Sequence, residues 1–236
     1  MSLLNTPFWE VLKASFAPEV WAEILPAAFD TLYMTLVASA ITLVFGFALG
    51  VAITVTRRDG LLPAATFNAA AGWLINCFRS LPQMIMIILM IPVARLVFGR
   101  SYGMNSCIIA LAASCVPMYA RIVESSLLEI SKGKIEAAKS MGSGNLRIIF
   151  RVLLPETLPS LIRGFTVAVV AIISMSALAG NFGAGGIGDI AVRFGFQRFR
   201  HEVLFACVYV LVVIVQAVQF AGDTASKLIL KKRRLI

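Results

Sequence analysis

The sequence carries little charge for its length. Of its 236 residues, 14% are Asp, Glu, Lys or Arg and 59% are hydrophobic, whereas soluble domains carry roughly 25% charged residues. The mean hydropathy is +0.89. These values exclude an ordinary soluble protein and predict an all-α integral membrane protein. The net charge of +9 therefore indicates basic flanks of membrane spans and contacts with lipid head groups, and no nucleic-acid partner is expected.

Residue types that build catalytic and metal sites are also scarce. His201 is the one histidine, and the four cysteines form no C-x-x-C pair, so neither a metal nor a cofactor is expected in this chain. No G-x-x-x-x-G-K-[ST] segment occurs, which excludes ATP binding by a P-loop. The sequence shows no arrangement of a nucleophile and a base, so the chain is not expected to be an enzyme by itself. Its first residues lack a cationic stretch before an apolar core, so no cleavable signal peptide is predicted.

What remains is a set of apolar stretches separated by basic turns. Residues 1–30 mix tryptophans with acids, which predicts an interfacial segment on the outer side. Residues 31–226 form the predicted transmembrane domain, and residues 227–236 form a basic cytoplasmic tail. About five transmembrane helices follow, with the N-terminus outside and the C-terminus cytoplasmic. The spans are expected at residues 31–56, 61–98, 101–120, 164–180 and 203–222.

The stretch 61–98 is compatible with one broken span or with two. Arg79 and Pro82 interrupt its apolar run. An outward N-terminus and an inward C-terminus require an odd number of spans, which favours one span with a kink at Arg79-Ser80-Leu81-Pro82. Arg79 is then either a functional or paired charge inside the protein or a side chain that snorkels to the interface.

A polar, basic island at residues 130–159 interrupts the apolar pattern. Ser131 is placed to cap a short helix, and Gly142 is placed to end it. Within that helix, Ile135, Ala138 and Met141 recur at helical spacing. A second helix is predicted after residues 143–145, and Pro155 is expected to prevent its smooth continuation. Its apolar stripe is predicted to comprise Leu146, Ile149, Phe150 and Leu153.

The island contains the spacing E-A-A-x3-G-x9-V-x-L-P, which runs from Glu136 to Pro155. This spacing resembles the EAA loop of ABC importer permeases, with Val152 in place of the usual isoleucine; residues 130–159 are called the EAA loop below. The resemblance implies the type I ABC importer permease fold. It also implies contacts with an ATPase, made by six residues: Glu136, Ala137, Ala138, Gly142, Leu154 and Pro155.

Segments on both sides of the EAA loop are similar to the methionine-type permeases within that family. They include Phe78–Pro82 before the loop, and Ser176–Gly180, Gly183–Asp189, Arg193–Phe199 and Gln219–Asp223 after it. Gly183, Gly185 and Gly188 also satisfy G-x-G-x-x-G, but an apolar span precedes them, which disfavours a dinucleotide site and favours a flexible outer turn where backbones approach closely.

The resemblance implies the partners that the chain lacks. Such permeases form a homodimer in the inner membrane of bacteria and bind two ATPase subunits, which hold ATP and Mg²⁺, on the cytoplasmic side. A substrate-binding protein, often a lipoprotein, docks on the periplasmic side. The implied function is ATP-driven import of methionine by alternating access. Two alternatives stay open: an importer of another amino acid or small solute, and a membrane scaffold that transports nothing.

The fourth predicted span carries small, polar or soft side chains. These are Ser174, Met175, Ser176 and Ala179. Small residues allow helices to pack closely in a membrane, so helix packing is one interpretation of this run. The other interpretation is a gate on the translocation pathway at the dimer axis, with Met175 as the bulkiest candidate.

Overall fold

The computed structural model describes residues 8–232, and all regular secondary structure in that range is helical. Several α-helices are joined through short π-helical segments. In chain order the elements are α1 (Phe8–Ala14), α2 (Pro18–Ile41), a π segment (Thr42–Gly46), α3 (Phe47–Val55), α4 (Ala65–Ser80), α5 (Gln83–Phe98), α6 (Met104–Leu128), α7 (Lys132–Ser140), α8 (Asn145–Ile148), a π segment (Ile149–Leu153), α9 (Leu154–Gly180), α10 (Gly186–Ile190), a π segment (Ala191–Phe196) and α11 (His201–Lys232).

Within the described residues, four helical stretches are long and apolar enough to cross a membrane. They are Pro18–Val55, Met104–Leu128, Asn145–Gly180 and His201–Lys232. The pair α4 and α5 passes the same test together but is bent by 111° between Ser80 and Gln83. Counted as one broken span, this pair brings the total to the five that the sequence predicts. The residues around the bend, including Arg79 and Pro82, are exposed in the single chain.

The first span begins earlier than predicted. Helix α2 begins at Pro18 and continues past residue 30, so the boundary drawn there from the sequence lies inside a helix. Val20, Ile24 and Ala27 recur on one face of α2 and are buried in a cluster with Val203 of α11. Acidic residues from Glu19 onward therefore lie on the more exposed faces of a packed helix. The predicted interfacial segment stays a prediction for α1 (Phe8–Ala14), and residues 1–7 lie outside the described residues.

The described residues form two compact units. The first unit comprises residues up to Ala38, Gln83–Leu111 and Val170–Ala217, and the second comprises Ser39–Pro82, Ala112–Val169 and the residues from Val218 onward. Each unit has its own apolar core. The core of the first joins α2, α10 and α11; the core of the second joins α3, α6, the EAA loop and α9 around Tyr119 and Val123.

The outer segment, residues 180–200, belongs to the first unit and is more ordered than the sequence suggests. A Cβ atom added to Gly188 would lie 2.2 Å from the Ala177 carbonyl oxygen, and one added to Gly180 would lie 2.3 Å from the Asp189 nitrogen. The expected close approach of backbones is therefore confirmed. The expected flexible turn is wrong for Gly186–Ile190, which forms α10, because these backbone contacts and a bond from the Ile187 amide to Thr31 Oγ1 (2.9 Å) fix it.

Candidate functional site: the EAA loop

Helix α7 is amphipathic on a small scale. Ala138 is buried with only 4% of its surface exposed, in the core of the second unit, and Ile135 packs against that core. Glu136 and Ala137 are exposed. The two alanines of the motif therefore have different environments: Ala138 seats the helix on its own protein, and Ala137 lies beside Glu136 on the free surface. Met141, predicted to share the face of Ala138, is 77% exposed, because it lies in the turn after the helix.

Gly142 ends α7 through its backbone conformation. Its φ is +76°, a left-handed value that only glycine adopts at little cost. The Gly142 amide donates to the Lys139 carbonyl (2.9 Å) and the Ser143 amide to the Ala138 carbonyl (3.1 Å), which together form a Schellman C-cap. A Cβ atom added here would meet nothing within 4 Å. The predicted helix end is confirmed, and the reason for glycine is the value of φ and not a lack of space.

The start of α7 differs in detail from the prediction. Ser131 occupies the N-cap position with an extended backbone, as expected, but its side chain makes no capping hydrogen bond. The second helix begins after Gly144, likewise without a side-chain cap. Ser131 thus lies directly before α7 and Asn145 is the first residue of α8, although neither side chain caps its helix. Asn145 instead donates from Nδ2 to the Leu61 carbonyl (2.7 Å) in the turn after the first span.

The second half of the EAA loop continues directly into α9, contrary to the prediction. From Asn145 to Gly180 the chain is helical without a break, with a π segment at Ile149–Leu153 just before Leu154 and Pro155. A π turn changes which carbonyls are bonded, and a helix accommodates a proline where such a local adjustment absorbs the missing N–H. Leu154 and Pro155 are half-buried at the start of α9, which continues for 27 residues to Gly180.

The π segment also shifts the apolar stripe. Ile149 and Leu153 are buried, as predicted, but Leu146 and Phe150 are each 65% exposed. Ile148 is buried in their place, with none of its surface exposed. A strict 3.6-residue period assigns residues to the wrong face wherever the helix widens. Leu146 and Phe150 therefore belong to the outer surface of the loop.

Polar contacts hold the loop together and tie it to the rest of the second unit. Within the loop, Lys134 of α7 forms an ion pair with Glu156 in the first turn of α9. At the far end of the loop, Ser226 of α11 donates to the Pro159 carbonyl (3.2 Å). Together with the Asn145 bond, these contacts connect α7 and α8 to α9, α11 and the turn at residues 57–61. A displacement of the loop therefore reaches several helices at once.

Three charged side chains beside the loop, Arg57, Arg121 and Glu124, form a cluster that is called the charged clamp below. Sequence reasoning alone did not identify it. The Arg121 guanidinium on α6 donates to the Gly72 carbonyl and to Asn76 Oδ1, both at 3.0 Å, and pairs with Glu124 at 2.6 Å. Arg57 approaches the same carboxylate at 3.8 Å. The signal was present, since Arg121 and Glu124 are three residues apart at the end of a span. Their partners on α4 lie 45 to 49 residues away, beyond any local pattern.

The turn after the first span borders a cavity of about 300 Å³ beside α7. Arg57 and Asp59 lie on the side of the turn, and Lys132, Glu136 and Lys139 lie on the side of the helix. A hydrogen bond from its own backbone amide and the charge of Arg57 hold the pKa of the Asp59 carboxyl below its usual value. The surface next to the exposed EAA face is thus charged, with cations in excess.

The four candidate gate residues on α9 do not share one environment. Met175, Ser176 and Ala179 are buried, with at most 2% of each exposed, whereas Ser174 is exposed. Both serine hydroxyls donate to carbonyls of their own helix, Ser174 to Val170 (3.1 Å) and Ser176 to Ile173 (2.7 Å). Ser174 is therefore the member of this group that reaches the surface of the chain, while the other three pack α9 within the first unit.

No group of three or more His, Cys, Asp or Glu side chains that could hold a metal lies together within residues 8–232. All regular secondary structure among the described residues is helical, and the G-x-G-x-x-G run follows helix α9 instead of the strand that a dinucleotide site requires.

Comparison with known proteins identifies a family across most of the chain. Residues 60–235 match the family described as binding-protein-dependent transport system inner membrane component. A probable D-methionine transport system permease protein of Vibrio cholerae is 40% identical over 200 residues, covering 85% of this chain and 89% of the relative. The methionine import system permease protein of Bacillus subtilis is 39% identical over 210 residues, covering 89% and 95%.

Solved structures agree with these relatives. An inward-facing conformation of the MetNI methionine ABC transporter contains a chain with a TM-score of 0.87 and 34% identity, covering 91% of this chain and 99% of that one. An amino acid ABC transporter has a TM-score of 0.74 at 15% identity, which shows a shared fold alone. The predicted all-α, type I importer permease fold is confirmed.

Proposed function

Because the chain belongs to the family of inner membrane components of binding-protein-dependent transport systems, we propose that it is the permease subunit of an ATP-driven importer of methionine. The choice of methionine as the substrate rests on the agreement among relatives: those at 39% and 40% identity are named for methionine or D-methionine transport. The alignments cover 85% or more of this chain, so the similarity includes the spans and the EAA loop together.

The EAA loop supports a coupling role. Glu136 and Ala137 present a small, exposed face to an ATPase, and the Schellman turn at Gly142 fixes where α7 ends. Ala138 transmits force inward because it is packed in the core of the second unit. Leu154 and Pro155 lie where the loop becomes α9. When two ATPase subunits close around bound ATP, they would pull α7 with them and thereby tilt α9.

The remaining parts of the complex follow from this role. A second copy of the chain completes the pathway, and two ATPase subunits on the cytoplasmic side bind ATP and Mg²⁺. A substrate-binding protein or lipoprotein delivers methionine on the periplasmic side of a bacterial inner membrane. ATP and the loaded binding protein favour the outward-facing state, and hydrolysis resets it. Within the pathway we assign the gate to α9, with Ser174 at the surface and Met175, Ser176 and Ala179 supporting it.

Uptake of radiolabelled methionine tests the substrate. A strain lacking this permease and all other methionine transporters is complemented with the wild-type chain, and we expect uptake to be restored and to be reduced by excess unlabelled methionine. Restored growth on another amino acid, without methionine uptake, would establish the alternative importer. A membrane scaffold would purify without an ATPase subunit and would restore no uptake.

A second experiment tests the coupling role of the loop. In the reconstituted complex, Gly142→Leu places a branched side chain at a left-handed backbone position on the face gripped by the ATPase. We expect ATP hydrolysis to persist while methionine uptake falls at least about tenfold, a loss of about 1.4 kcal/mol or more in coupling. Gly133→Ala is the matched control, because Gly133 also lies in the loop with open space around it but does not have the left-handed φ of Gly142. Normal uptake by Gly142→Leu would refute the assignment.

A further inference from the structure

The end of the outer segment, from Phe194 to Arg200, is built around one aromatic ring. Three guanidinium groups lie over the Phe194 ring, with their carbon atoms 5.2 Å (Arg193), 4.7 Å (Arg198) and 6.0 Å (Arg200) from its centroid. Cations at these distances are attracted to the face of the ring. Phe194 itself packs against the core of the first unit, so the ring holds the three cations next to a well-packed part of the protein.

The backbone of this segment is held in place from several directions. The Arg200 amide donates to the Phe194 carbonyl (3.1 Å), and the Gln197 amide donates to the Val192 carbonyl (2.9 Å). Gly195 is buried so closely that an added Cβ would lie 2.9 Å from the Cβ of Leu204. The segment is therefore a rigid projection at the start of α11 and not a mobile loop.

Two of the three arginines are neutralised by the protein, and the third is not. Arg193 pairs with Asp189 (2.5 Å). Arg200 pairs with both carboxylate oxygens of Glu23 at 3.0 Å and with Glu202 at 3.1 Å. Arg198 makes no ion pair with any residue in the part of the chain that the structure describes. It is exposed and oriented by the ring beneath it.

Exposed aromatic side chains flank this arginine. Phe196 is 69% exposed and Phe199 is 70% exposed. Phe199 has φ +58°, and it is the one non-glycine residue with a positive φ among residues 8–232. A bulky side chain in that conformation is strained and is maintained only when the surroundings impose it, most often at functional positions.

The segment lies on the side of the membrane opposite the basic C-terminal end of α11. That helix runs from His201 to Lys232, so residues just before it face away from Lys231 and Lys232. Because clusters of lysine and arginine mark the cytoplasmic side, residues 193–200 are extracytoplasmic. The first unit contains equal numbers of acidic and basic residues, so the uncompensated charge on Arg198 is local.

We propose that Phe196, Arg198 and Phe199 form the docking surface for the substrate-binding protein, which meets Arg198 with a carboxylate and covers the two phenyl rings with apolar side chains. This inference rests on the proposed function and adds the residues through which the partner is held. Arginine and aromatic residues dominate the binding energy of protein interfaces, and a surface held rigid before binding loses little entropy on association.

A lipid surface fits the same residues less well. Attraction to anionic lipids requires clusters of several cations, whereas one uncompensated arginine is present here. Insertion of aromatic side chains into head groups requires no fixed geometry, yet Phe199 is held in a strained conformation and Arg198 is stacked in a defined position. A carboxylate on the partner accounts for the defined position of Arg198, and apolar side chains that pack on a fixed ring account for the conformation of Phe199.

Binding of the purified cognate substrate-binding protein to the permease–ATPase complex in nanodiscs tests the proposal. We expect Arg198→Glu to raise the Kd by about tenfold or more at low salt and Arg198→Met to raise it by a smaller factor. Phe199→Gly, which relieves the positive φ and removes the ring, should weaken binding while the complex remains folded. Raising the salt concentration should weaken wild-type binding more than binding by Arg198→Met.

Arg100→Glu is the control, because Arg100 is another exposed arginine of the first unit; its Kd should change less than twofold. ATP hydrolysis without the binding protein should be unchanged in all variants. Suppose that the binding protein binds the wild-type complex and stimulates its ATP hydrolysis, and that it binds Arg198→Glu equally well. The docking surface is then refuted and the proposed function stands. Equal binding by Arg198→Glu with loss of lipid contact would establish the lipid reading instead. If the binding protein does not stimulate ATP hydrolysis by the wild-type complex, both proposals fail.

Discussion

The EAA loop and the outer segment both depend on glycine, but for different physical reasons. In the EAA loop Gly142 has φ +76° and open space around it. In the outer segment Gly188 is placed where an added Cβ would lie 2.2 Å from a backbone oxygen. The first glycine permits a turn that ends a helix, and the second permits two helices to touch. Space therefore does not limit the side chain at Gly142, where φ is the constraint, while Gly188 leaves no room for a side chain at its contact.

The two regions also differ in whether their charged side chains are paired. The second unit, which contains the EAA loop, has more than twice as many lysines and arginines as the first, and Glu136, Lys132 and Lys139 are exposed around α7. In the outer segment Arg193 and Arg200 are each paired with acids. The exposed charges around α7 suit a partner that binds and releases. In the outer segment the paired arginines hold the backbone in place and leave Arg198 as the one arginine of the segment without an ion pair among the described residues.

The largest effect should come from filling the contact at Gly188. Gly188→Ala places a methyl group against the backbone of α9, and we expect destabilisation of about 3 kcal/mol, at the upper end of overpacking costs. The midpoint of thermal unfolding of the detergent-purified complex measures it. Gly133→Ala in α7 is the control, and it should be neutral or stabilising by about 0.5 kcal/mol because the site is helical and open. Equal midpoints for the two variants would remove the distinction between the regions.

The next effect should come from the charged clamp beside the EAA loop. Arg121→Met keeps the apolar stem but removes the bonds to Gly72 and Asn76 and leaves Glu124, which is mostly buried, without its nearest cation. We expect a loss of about 2 kcal/mol. Arg163→Met, at an exposed position of α9, should change the unfolding midpoint little. A midpoint of Arg121→Met equal to that of wild type would show that the clamp does not hold α4 to α6.

A smaller effect is expected at Gly142. Gly142→Ala meets no steric obstacle but must adopt a left-handed backbone, which costs about 1 kcal/mol. Gly142→Asn should cost less, since asparagine adopts this conformation more readily. Both are compared by thermal unfolding. If asparagine were worse than alanine, space and not φ would be the constraint at this position, and the comparison with Gly188 would lose its basis.

The smallest effect should come from the ion pair between Lys134 and Glu156. Both side chains are substantially exposed, at 52% and 38%, and exposed pairs contribute about 0 to 1 kcal/mol. A double-mutant cycle with Lys134→Ala and Glu156→Ala should give a coupling energy of about 0.5 kcal/mol or less. A value above about 2 kcal/mol would mean that the EAA loop is anchored electrostatically, like the outer segment, instead of by the burial of Ala138.

Local features of the sequence predict a large part of the fold. Low charge and long apolar runs predict membrane-spanning helices, and the position of Gly142 predicts the end of α7 because a left-handed C-cap is a one-residue property. The break near Pro82 was likewise visible. The same reasoning failed at Pro155 and along Leu146–Phe150, because the π segment at Ile149–Leu153 alters the period on which the assignment of faces depends.

The sequence by itself determined that this chain is a helical membrane protein with an EAA loop, since hydropathy, spacing and family motifs are read along the chain. Only the tertiary structure decided which side of each helix is used. It buried Ala138 and exposed Ala137, buried Met175 and exposed Ser174, and joined Arg121 to α4. These outcomes depend on contacts between residues distant in sequence, and on small changes in helical pitch, for which no local pattern carries the information.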